Sequence, residues 1–339
     1  MIFEPDKPYK SIGEQIEILK SRNLIILNDQ FAYDILADVG YYTLINGYGK
    51  IYQTNDKFQD NVLIEHIVFQ YLIDETIKKS LFNSIINIES LLKNKIAEIV
   101  SREFGVYDLL KGDKDYIDQT ESYLSKNNYE NSNERNSVIS NLRKTRNKSK
   151  NNPTKFYREN KNHVPPWILF KNISFWDINY LYKMLPPTFK NEILSSYSFI
   201  SLLDDEQLKK KQFFNMLELL RQFRNSFAHG NRAYMFKSKH SLDLKAIEKI
   251  MGPNVVSSLE YSKDKIAKND LYSLIISITI LIGNKEDFKR NLIELDSNLK
   301  SFNIHGVHRN PYEDFLIHSK LPSDWIDRLI NSNIFKAYS

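Results

Sequence analysis

Apolar residues recur at helical spacing through most of this chain, and that pattern predicts a protein built from α-helices. Two helix starts are marked by serine. Ser11 is followed three residues later by Glu14, and Ser174 opens the stretch SFWDINYLYKML. A serine hydroxyl at such a position accepts a hydrogen bond from the first helical turn. A third helix is predicted over Asp204–Ala228, where an acidic start suits the positive end of the helix dipole.

The same periodicity predicts further helices, and two of the segments have an alternative interpretation. Helical spacing in Asn61–Phe104 fits two helices or one long kinked helix. Segment 270–282 is rich in β-branched residues, so a strand is the alternative there. Its apolar run is about half of the ~20 residues that a membrane span needs, which predicts a buried core segment. The remaining predicted helices cover residues 11–22, 28–39, 242–250, 284–300 and 324–332.

Residues 108–163 interrupt this regularity. The segment is polar, rich in asparagine and poor in large aliphatic side chains, which predicts an insertion or flexible arm. Within it, residues 126–163 contain ten Lys or Arg and three Glu, a net charge of +7, whereas the whole chain carries +5. Positive charge concentrated in one segment favours a polyanionic partner.

These patterns predict an all-α fold in two parts. Residues 1–55 form an N-terminal helical segment packed on a bundle, and residues 56–339 form a helical domain interrupted by the basic insertion at about 108–163. The chain has no cysteine, which excludes disulfide scaffolds, zinc ribbons, iron–sulfur sites and thiol nucleophiles. With no apolar signal-like stretch near Met1, we expect a cytoplasmic protein without a membrane partner.

The stretch RQFRNSFAHG, at the end of the third apolar helix, contains the residues best suited to chemistry. Asn225 and His229 lie about 40° apart on a helix, whereas Arg224 and His229 lie about 140° apart. RNA cleavage by its own 2′-hydroxyl needs a group that moves protons and a group that holds the phosphate. Histidine titrates close to neutral pH, and an arginine fork binds phosphate. We therefore predict Arg224 and His229 as catalytic and Asn225 as supporting, with no cofactor or metal.

The spacing of arginine and histidine alone does not decide the matter. Arg158 and His163 repeat it inside the basic segment by chance, without a following asparagine or an apolar helix. Cations near a helix C-terminus also complement its dipole, which is the structural alternative for Arg224 and His229. A rigid helix would not aim both side chains at one atom. A loosened last turn, or a second copy of the motif from another subunit, would bring them together.

Three neighbouring features have two interpretations each. Glu89 lies among apolar residues, so it is either an inward carboxylate that orients Arg224 or a partly exposed side chain. Arg221 is either a phosphate contact or, the interpretation favoured here, a surface arginine. A histidine-rich group near the end could be metal ligands, but its spacing defines no geometry and a metal site is not expected. That group is His305, His308, Asp314 and His318.

The basic segment is the predicted RNA-binding surface. Its cations are clustered, and aromatic residues lie among them, as suits unpaired bases that stack. A disordered solubilising loop is the alternative. The predicted RNA-binding cations are Arg143, Lys144, Arg146, Lys148, Lys150, Lys155 and Arg158, and the interleaved aromatics are Tyr129, Phe156 and Tyr157.

The sequence Arg-Asn-x-x-Ala-His over 224–229 resembles the signature of HEPN ribonucleases. Over about residues 7–300, elements in the same order resemble the AbiD/AbiF-like family of bacterial abortive-infection proteins. The basic insertion and the tail after about 300 depart from that pattern. The resembling stretches are Lys7-Pro8, the helix from Ser11 to Arg22, Val39-Gly40-Tyr41-Tyr42 with Gly47-Tyr48, Asn87–Leu91, Pro165-Pro166-Trp167, and Ser174-Phe175-Trp176 with tryptophan in place of glycine.

This resemblance implies a HEPN-type helical bundle and an anti-phage, toxin-like endoribonuclease, more distantly similar to the nuclease halves of type VI CRISPR effectors. It implies association with a small noncoding RNA and a site built from two motifs, so a homodimer is expected. The residues leave two other functions open. One is a non-catalytic RNA-binding protein that forms a ribonucleoprotein. The other is a helical protein-binding module, which the +7 segment counts against.

Overall fold

A computed structural model describes residues 6–118, 120–198, 200–302 and 309–337 of the chain. Helices dominate these residues, and the predicted all-α class is confirmed. A short antiparallel hairpin pairs β1 (Gln53–Thr54) with β2 (Lys57–Phe58). The helices are α1 (Ile12–Ser21), α2 (Asp29–Val39), α3 (Ile64–Phe104), α4 (Arg135–Lys148), α5 (Thr154–Asn160), α6 (Pro166–Leu169), α7 (Phe175–Met184), α8 (Pro187–Ser195), α9 (Glu206–Ala228), α10 (Leu244–Met251), α11 (Leu271–Leu281), α12 (Lys285–Lys300), α13 (Pro311–Ser319), α14 (Trp325–Ile330) and α15 (Asn333–Lys336).

The predicted helix starts are confirmed by their caps. The Ser11 hydroxyl accepts from the Glu14 N–H at 3.3 Å, and the Glu14 carboxylate accepts from the Ser11 N–H at 2.8 Å. Ser174 makes the equivalent reciprocal pair with Asp177 at the start of α7. Asp205 caps α9 by accepting from two N–H groups of its first turn. These caps satisfy donors that a helix N-terminus leaves without intrahelical partners.

Two ambiguous segments are resolved as helices. α3 is one helix, and it ends where Gly105 adopts a left-handed φ of +76°. The strand alternative for 270–282 is wrong, because every residue of α11 is a buried helical residue. Its polar side chains are satisfied internally, since Ser277 and Thr279 donate to carbonyls four residues back. Within the described part of the chain, no helix has both the length and the apolar character that crossing a bilayer requires.

Of the two alternatives for 108–163, the flexible arm is wrong, because the described residues of this segment are folded. Its centre is α4, whose Val138, Ile139 and Leu142 are buried, and α4 packs against α7. These three residues share one face of a helix, which gives a polar segment a narrow apolar stripe. The stripe is too sparse to raise the mean hydropathy of the segment, which is why composition alone predicted an arm.

The chain forms two compact units. The first comprises Met1–Ser80, Arg232–Met235 and Leu292–Ser323, and the second comprises Leu81–Asn231, Phe236–Asn291 and Asp324–Ser339. The boundary near residue 55 drawn from the sequence stays a prediction.

A buried polar network lies in the first unit. The Asp74 carboxylate is completely buried and accepts from the Tyr48 hydroxyl at 2.8 Å and from the Ala233 N–H at 3.0 Å. The Lys78 ammonium lies 3.2 Å from the same carboxylate. Burial, and then the charge of Asp74, raise the pKa of Tyr48 far above its ordinary value, so this hydroxyl stays a donor.

In the second unit α9 packs against α7 and α11. Its core face includes Phe213, Leu217, Leu220 and Phe223, all completely buried. The spacing of these residues gives α9 one continuous apolar side, which fixes the rotation of the helix. The Arg-Asn-x-x-Ala-His motif is therefore carried by a rigid element.

Candidate active site

The motif lies where α9 ends. His229 follows the last helical residue with φ −92° and ψ 10°, and its backbone N–H donates to the Asn225 carbonyl at 3.1 Å. Gly230 then takes a left-handed φ of +69°, which glycine adopts with little strain. The helix therefore ends at Ala228, with His229 as its C-terminal cap and Gly230 as the residue that turns the chain away.

Arg224 and Asn225 line a polar cleft of about 510 Å³. Glu89 and Lys93 of α3 line the same cleft, as does Trp176 in the first turn of α7. The volume falls within the range of about 300–1,000 Å³ that is usual for ligand sites. The cleft is built entirely from residues of the second unit.

The Arg224 guanidinium is half-buried and only partly satisfied. Its Nη1 donates to Asn225 Oδ1 at 3.3 Å, while its Nε is buried without a hydrogen-bond partner. Among the described residues no carboxylate lies within ion-pair distance of Arg224. The positive charge of Arg224 is therefore not neutralised by a carboxylate of the described residues, and a phosphate in the cleft would be attracted to it.

Within a single chain, His229 lies outside this cleft. Its side chain is exposed, its ring hydrogen-bonds to none of the described residues, and it is not part of the cleft lining. The structure thus brings Arg224 and Asn225 together and leaves His229 outside the cleft lining. The helical spacing of about 40° predicts Asn225 and His229 on one side, but His229 follows the last residue of α9 as its C-terminal cap.

Glu89 and Lys93 form a buried ion pair at the floor of the cleft. Their Oε1 and Nζ atoms are 2.7 Å apart, and Lys93 also donates to the Ile173 carbonyl at 2.7 Å. The exposed alternative for Glu89 is wrong, and its partner in the structure is Lys93. Glu89 Oε2 is buried without a partner. Sequence reasoning missed Lys93, although a Glu and a Lys four residues apart on a helix are the expected signal.

Arg221 is not a free surface residue, so the favoured interpretation of it is wrong. Its Nε and Nη2 grip the buried Glu218 carboxylate at 2.9 and 2.7 Å, and Asn179 donates to the same carboxylate at 3.0 Å. Burial raises the pKa of Glu218, but the hydrogen bonds from Arg221 and Asn179 outweigh it, so the net pKa lies below the ordinary value. Arg221 is held rigidly at the edge of the cleft.

The seven predicted RNA-binding cations fall into two groups. Arg146 Nε lies 2.7 Å from the buried Asp108 carboxylate, Arg143 lies 3.2 Å from Asp113, and Arg158 donates to the Arg146 carbonyl at 3.1 Å. The arginines therefore hold the segment together. The lysines Lys144, Lys148, Lys150 and Lys155 are all exposed.

The aromatic residues of this segment divide similarly. Tyr129 is buried, its hydroxyl donates to the Tyr123 carbonyl at 2.8 Å, and its ring contacts Phe104 edge-on. A stacking role for Tyr129 is therefore wrong. Phe156 stays exposed, and Tyr157 is half-buried beside it.

No metal-binding group is evident in the part of the chain that the structure describes. No three His, Cys, Asp or Glu side chains in that part are arranged so that they could hold a metal ion. His305 and His308 of the candidate metal set lie outside the described residues. The second arginine–histidine pair, Arg158 and His163, lies in and just after α5, away from the cleft lining.

A model of the Abi-like protein family matches residues 34–235, more than half of the chain. The chain belongs to the Abi-like protein family. Searches of curated proteins and of solved structures gave no match. The Abi-like region contains α3, α7 and α9 and ends just beyond His229, so it includes the whole cleft.

Membership of the Abi-like family supports a role in abortive infection, the defence against phage. The family match confirms the predicted resemblance to abortive-infection proteins at the level of the family. Its relationship to HEPN ribonucleases stays a prediction.

Proposed function

We propose that this Abi-like protein is a metal-independent endoribonuclease of the HEPN type that acts as a toxin in abortive infection. The observation that carries the proposal is the Arg224 guanidinium, which lines a polar cleft beside Asn225 and has no carboxylate partner among the described residues. Such a group is suited to a phosphodiester, whose oxygens accept two hydrogen bonds from one guanidinium.

The chemistry uses the RNA's own 2′-hydroxyl as the nucleophile. An imidazole removes its proton, the oxygen attacks the adjacent phosphorus, and the 5′-oxygen leaves with a proton from a general acid. Arg224 stabilises the charge that builds on the phosphate, and the side-chain amide oxygen of Asn225, Oδ1, orients the guanidinium. The products are a 2′,3′-cyclic phosphate and a 5′-hydroxyl.

His229 reaches such a site most simply from a second copy of the chain. In one chain it is exposed and outside the cleft, while Arg224 lines it. A two-fold dimer that apposes the ends of the two α9 helices would place each His229 at the other chain's cleft, because such an interface is self-complementary. The proposal therefore includes a homodimer.

Mixing two inactive variants tests this arrangement. Arg224→Ala and His229→Ala proteins are each expected to be inactive, but co-refolded heterodimers should recover one intact site. Random pairing then restores about a quarter of wild-type cleavage, since half the dimers are mixed and each holds one complete site. Cleavage of a fluorescent RNA is the measurement. Sedimentation that shows an active 40.0 kDa monomer would contradict the dimer.

A second surface, away from the cleft, has side chains suited to RNA. A groove of about 720 Å³ beside α4 is lined by Arg143, Lys144 and Lys148, together with Asn136 and Asn147. Ammonium groups suit phosphates, and asparagine side chains suit bases and riboses. We propose that this groove binds a small noncoding RNA that controls the toxin. The alternative function is a non-catalytic ribonucleoprotein, which the same groove favours.

Neutralising the exposed lysines is expected to weaken RNA binding and its salt dependence. Changing Lys144, Lys148, Lys150 and Lys155 to Gln should flatten log K against log salt by up to about 2.8 for single-stranded RNA, at about 0.7 for each contact. His229→Ala should leave the slope unchanged. The measurement is fluorescence anisotropy at several salt concentrations.

The matched control removes the same charge from exposed lysines elsewhere in the second unit. Those lysines are Lys211, Lys245, Lys263 and Lys336. If the salt slope falls as much in the control variant as in the test variant, RNA responds to net charge, and the lysines of the basic segment have no special role.

A further inference from the structure

Trp176 is the one large aromatic side chain in the first turn of α7 that lines the Arg224 cleft without being buried. It is half-buried, in contrast to Phe175 beside it, which belongs to the core. An indole in a polar, cationic cleft leaves apolar surface in contact with water. The mechanism proposed above has no use for this side chain.

The indole is held in place from behind. Its ring lies against Tyr180 one turn later, with centroids 4.7 Å apart and planes 32° apart. Tyr180 in turn meets Phe214 edge-on at 5.4 Å, and the Lys183 ammonium lies 5.1 Å from the Tyr180 ring centre. These contacts restrict the rotation of the indole and back it with a layer of aromatic side chains.

The backbone under Trp176 is equally fixed. Ser174 and Asp177 cap α7 reciprocally, and the Asn141 side chain donates to the Asp177 carboxylate at 2.9 Å. A ring that is already immobilised loses little conformational entropy when a flat ligand stacks on it.

The neighbours of Trp176 define what such a ligand carries. Arg224 and Lys171 line the same cleft and have no carboxylate partner among the described residues, so an anionic group is expected beside the ring. A nucleotide meets both requirements, because it carries a flat base that can stack on the ring and a phosphate that the cations can bind. Stacking on a side chain needs an unpaired base, and larger ring systems stack more strongly.

We propose that Trp176 stacks on a nucleobase of single-stranded RNA, with preference for a purine, next to the phosphate that Arg224 holds. Trp176 is then a specificity-determining residue of the site. This inference rests on the proposed endoribonuclease function, because it assigns the base that accompanies the scissile phosphate.

Tryptophan fluorescence tests the stacking directly. The chain has three tryptophans: Trp325 is completely buried, and Trp167 is exposed in α6, outside this cleft. In a Trp167→Phe, His229→Ala protein, which should bind RNA without cutting it, an oligoadenylate is expected to quench emission as it binds. An abasic ribose-phosphate strand of the same length should bind without that quenching.

Affinity provides the second measurement. Trp176→Ala is expected to weaken oligoadenylate binding about 10- to 100-fold, the usual effect of removing a stacking aromatic, and to leave abasic binding unchanged. Trp167→Ala is the matched control and should change neither. Trp176→Phe should recover part of the loss, since a smaller ring still stacks. Arg224→Ala, in contrast, should weaken both ligands.

The outcomes separate the two proposals. If RNA is cut by the wild-type protein, but Trp176→Ala binds and cuts oligoadenylate like wild type, the stacking role is wrong and the nuclease stands. Equal loss of affinity for oligoadenylate and abasic strand would also overturn stacking, because it indicates a damaged cleft. If wild-type protein neither binds nor cuts RNA, both proposals fail.

Discussion

Replacing His229 with alanine is expected to lower RNA cleavage by about 10²–10⁴-fold, the usual contribution of a positioned proton-transfer group, and to abolish toxicity. The fold should be unchanged, because the side chain is exposed and makes no hydrogen bond with the described residues. Cleavage of a labelled RNA by purified protein, and growth of cells that express it, are the measurements. The control is His163→Ala, which changes the other arginine–histidine pair and should leave cleavage intact.

The chemistry of the same reaction supplies a further check. Cleavage should persist in EDTA and leave 2′,3′-cyclic phosphate or 3′-phosphate ends, since the 2′-hydroxyl rather than a metal-activated water is the nucleophile. Cutting that stops in EDTA and leaves 5′-phosphate ends would contradict the mechanism.

The second large effect is expected on stability. Asp74→Ala should lower the free energy of unfolding by about 3–5 kcal/mol, because it removes the carboxylate of a buried ionic network. The Tyr48 hydroxyl and the Ala233 N–H would each lose a hydrogen bond that they make to Asp74. Chemical denaturation followed by circular dichroism measures the change.

Glu75→Ala is the matched control, because Glu75 also pairs with Lys78 but its side chain is 26% exposed. Its loss should cost less than the loss of Asp74, because water reaches the Glu75 carboxylate and screens its charge. Equal effects of the two substitutions would show that the completely buried Asp74 carboxylate contributes no more than the partly exposed Glu75 carboxylate does.

The local rules of the sequence predicted much of the fold. The caps at Ser11 and Ser174 and the long helices α3 and α9 depend on neighbours within four residues, so a single sequence contains the information. The motif was placed correctly at the end of α9, because an apolar stripe and a following glycine are both visible in the sequence.

The parts that could not be predicted depend on distant partners. Arg146 was expected to face solvent and RNA, but its partner Asp108 lies 38 residues earlier. The Lys93 ammonium is held in the cleft by its hydrogen bond to the Ile173 carbonyl, 80 residues later in the chain. Arg221 could have been paired from the sequence with Glu218, three residues before it, but the burial of that carboxylate is a tertiary property.

The separation of arginines from lysines in the basic segment has a consequence for how this protein can change over generations. Arg146 anchors α4 through the buried Asp108 carboxylate, whereas the lysines face water, so the lysines can vary without loss of that anchor. Lysine acetylation would likewise discharge the outer face and leave the arginine anchors intact, because the guanidinium groups are not its target. The charge of this outer face can therefore change while the buried Arg146–Asp108 ion pair that holds α4 is kept.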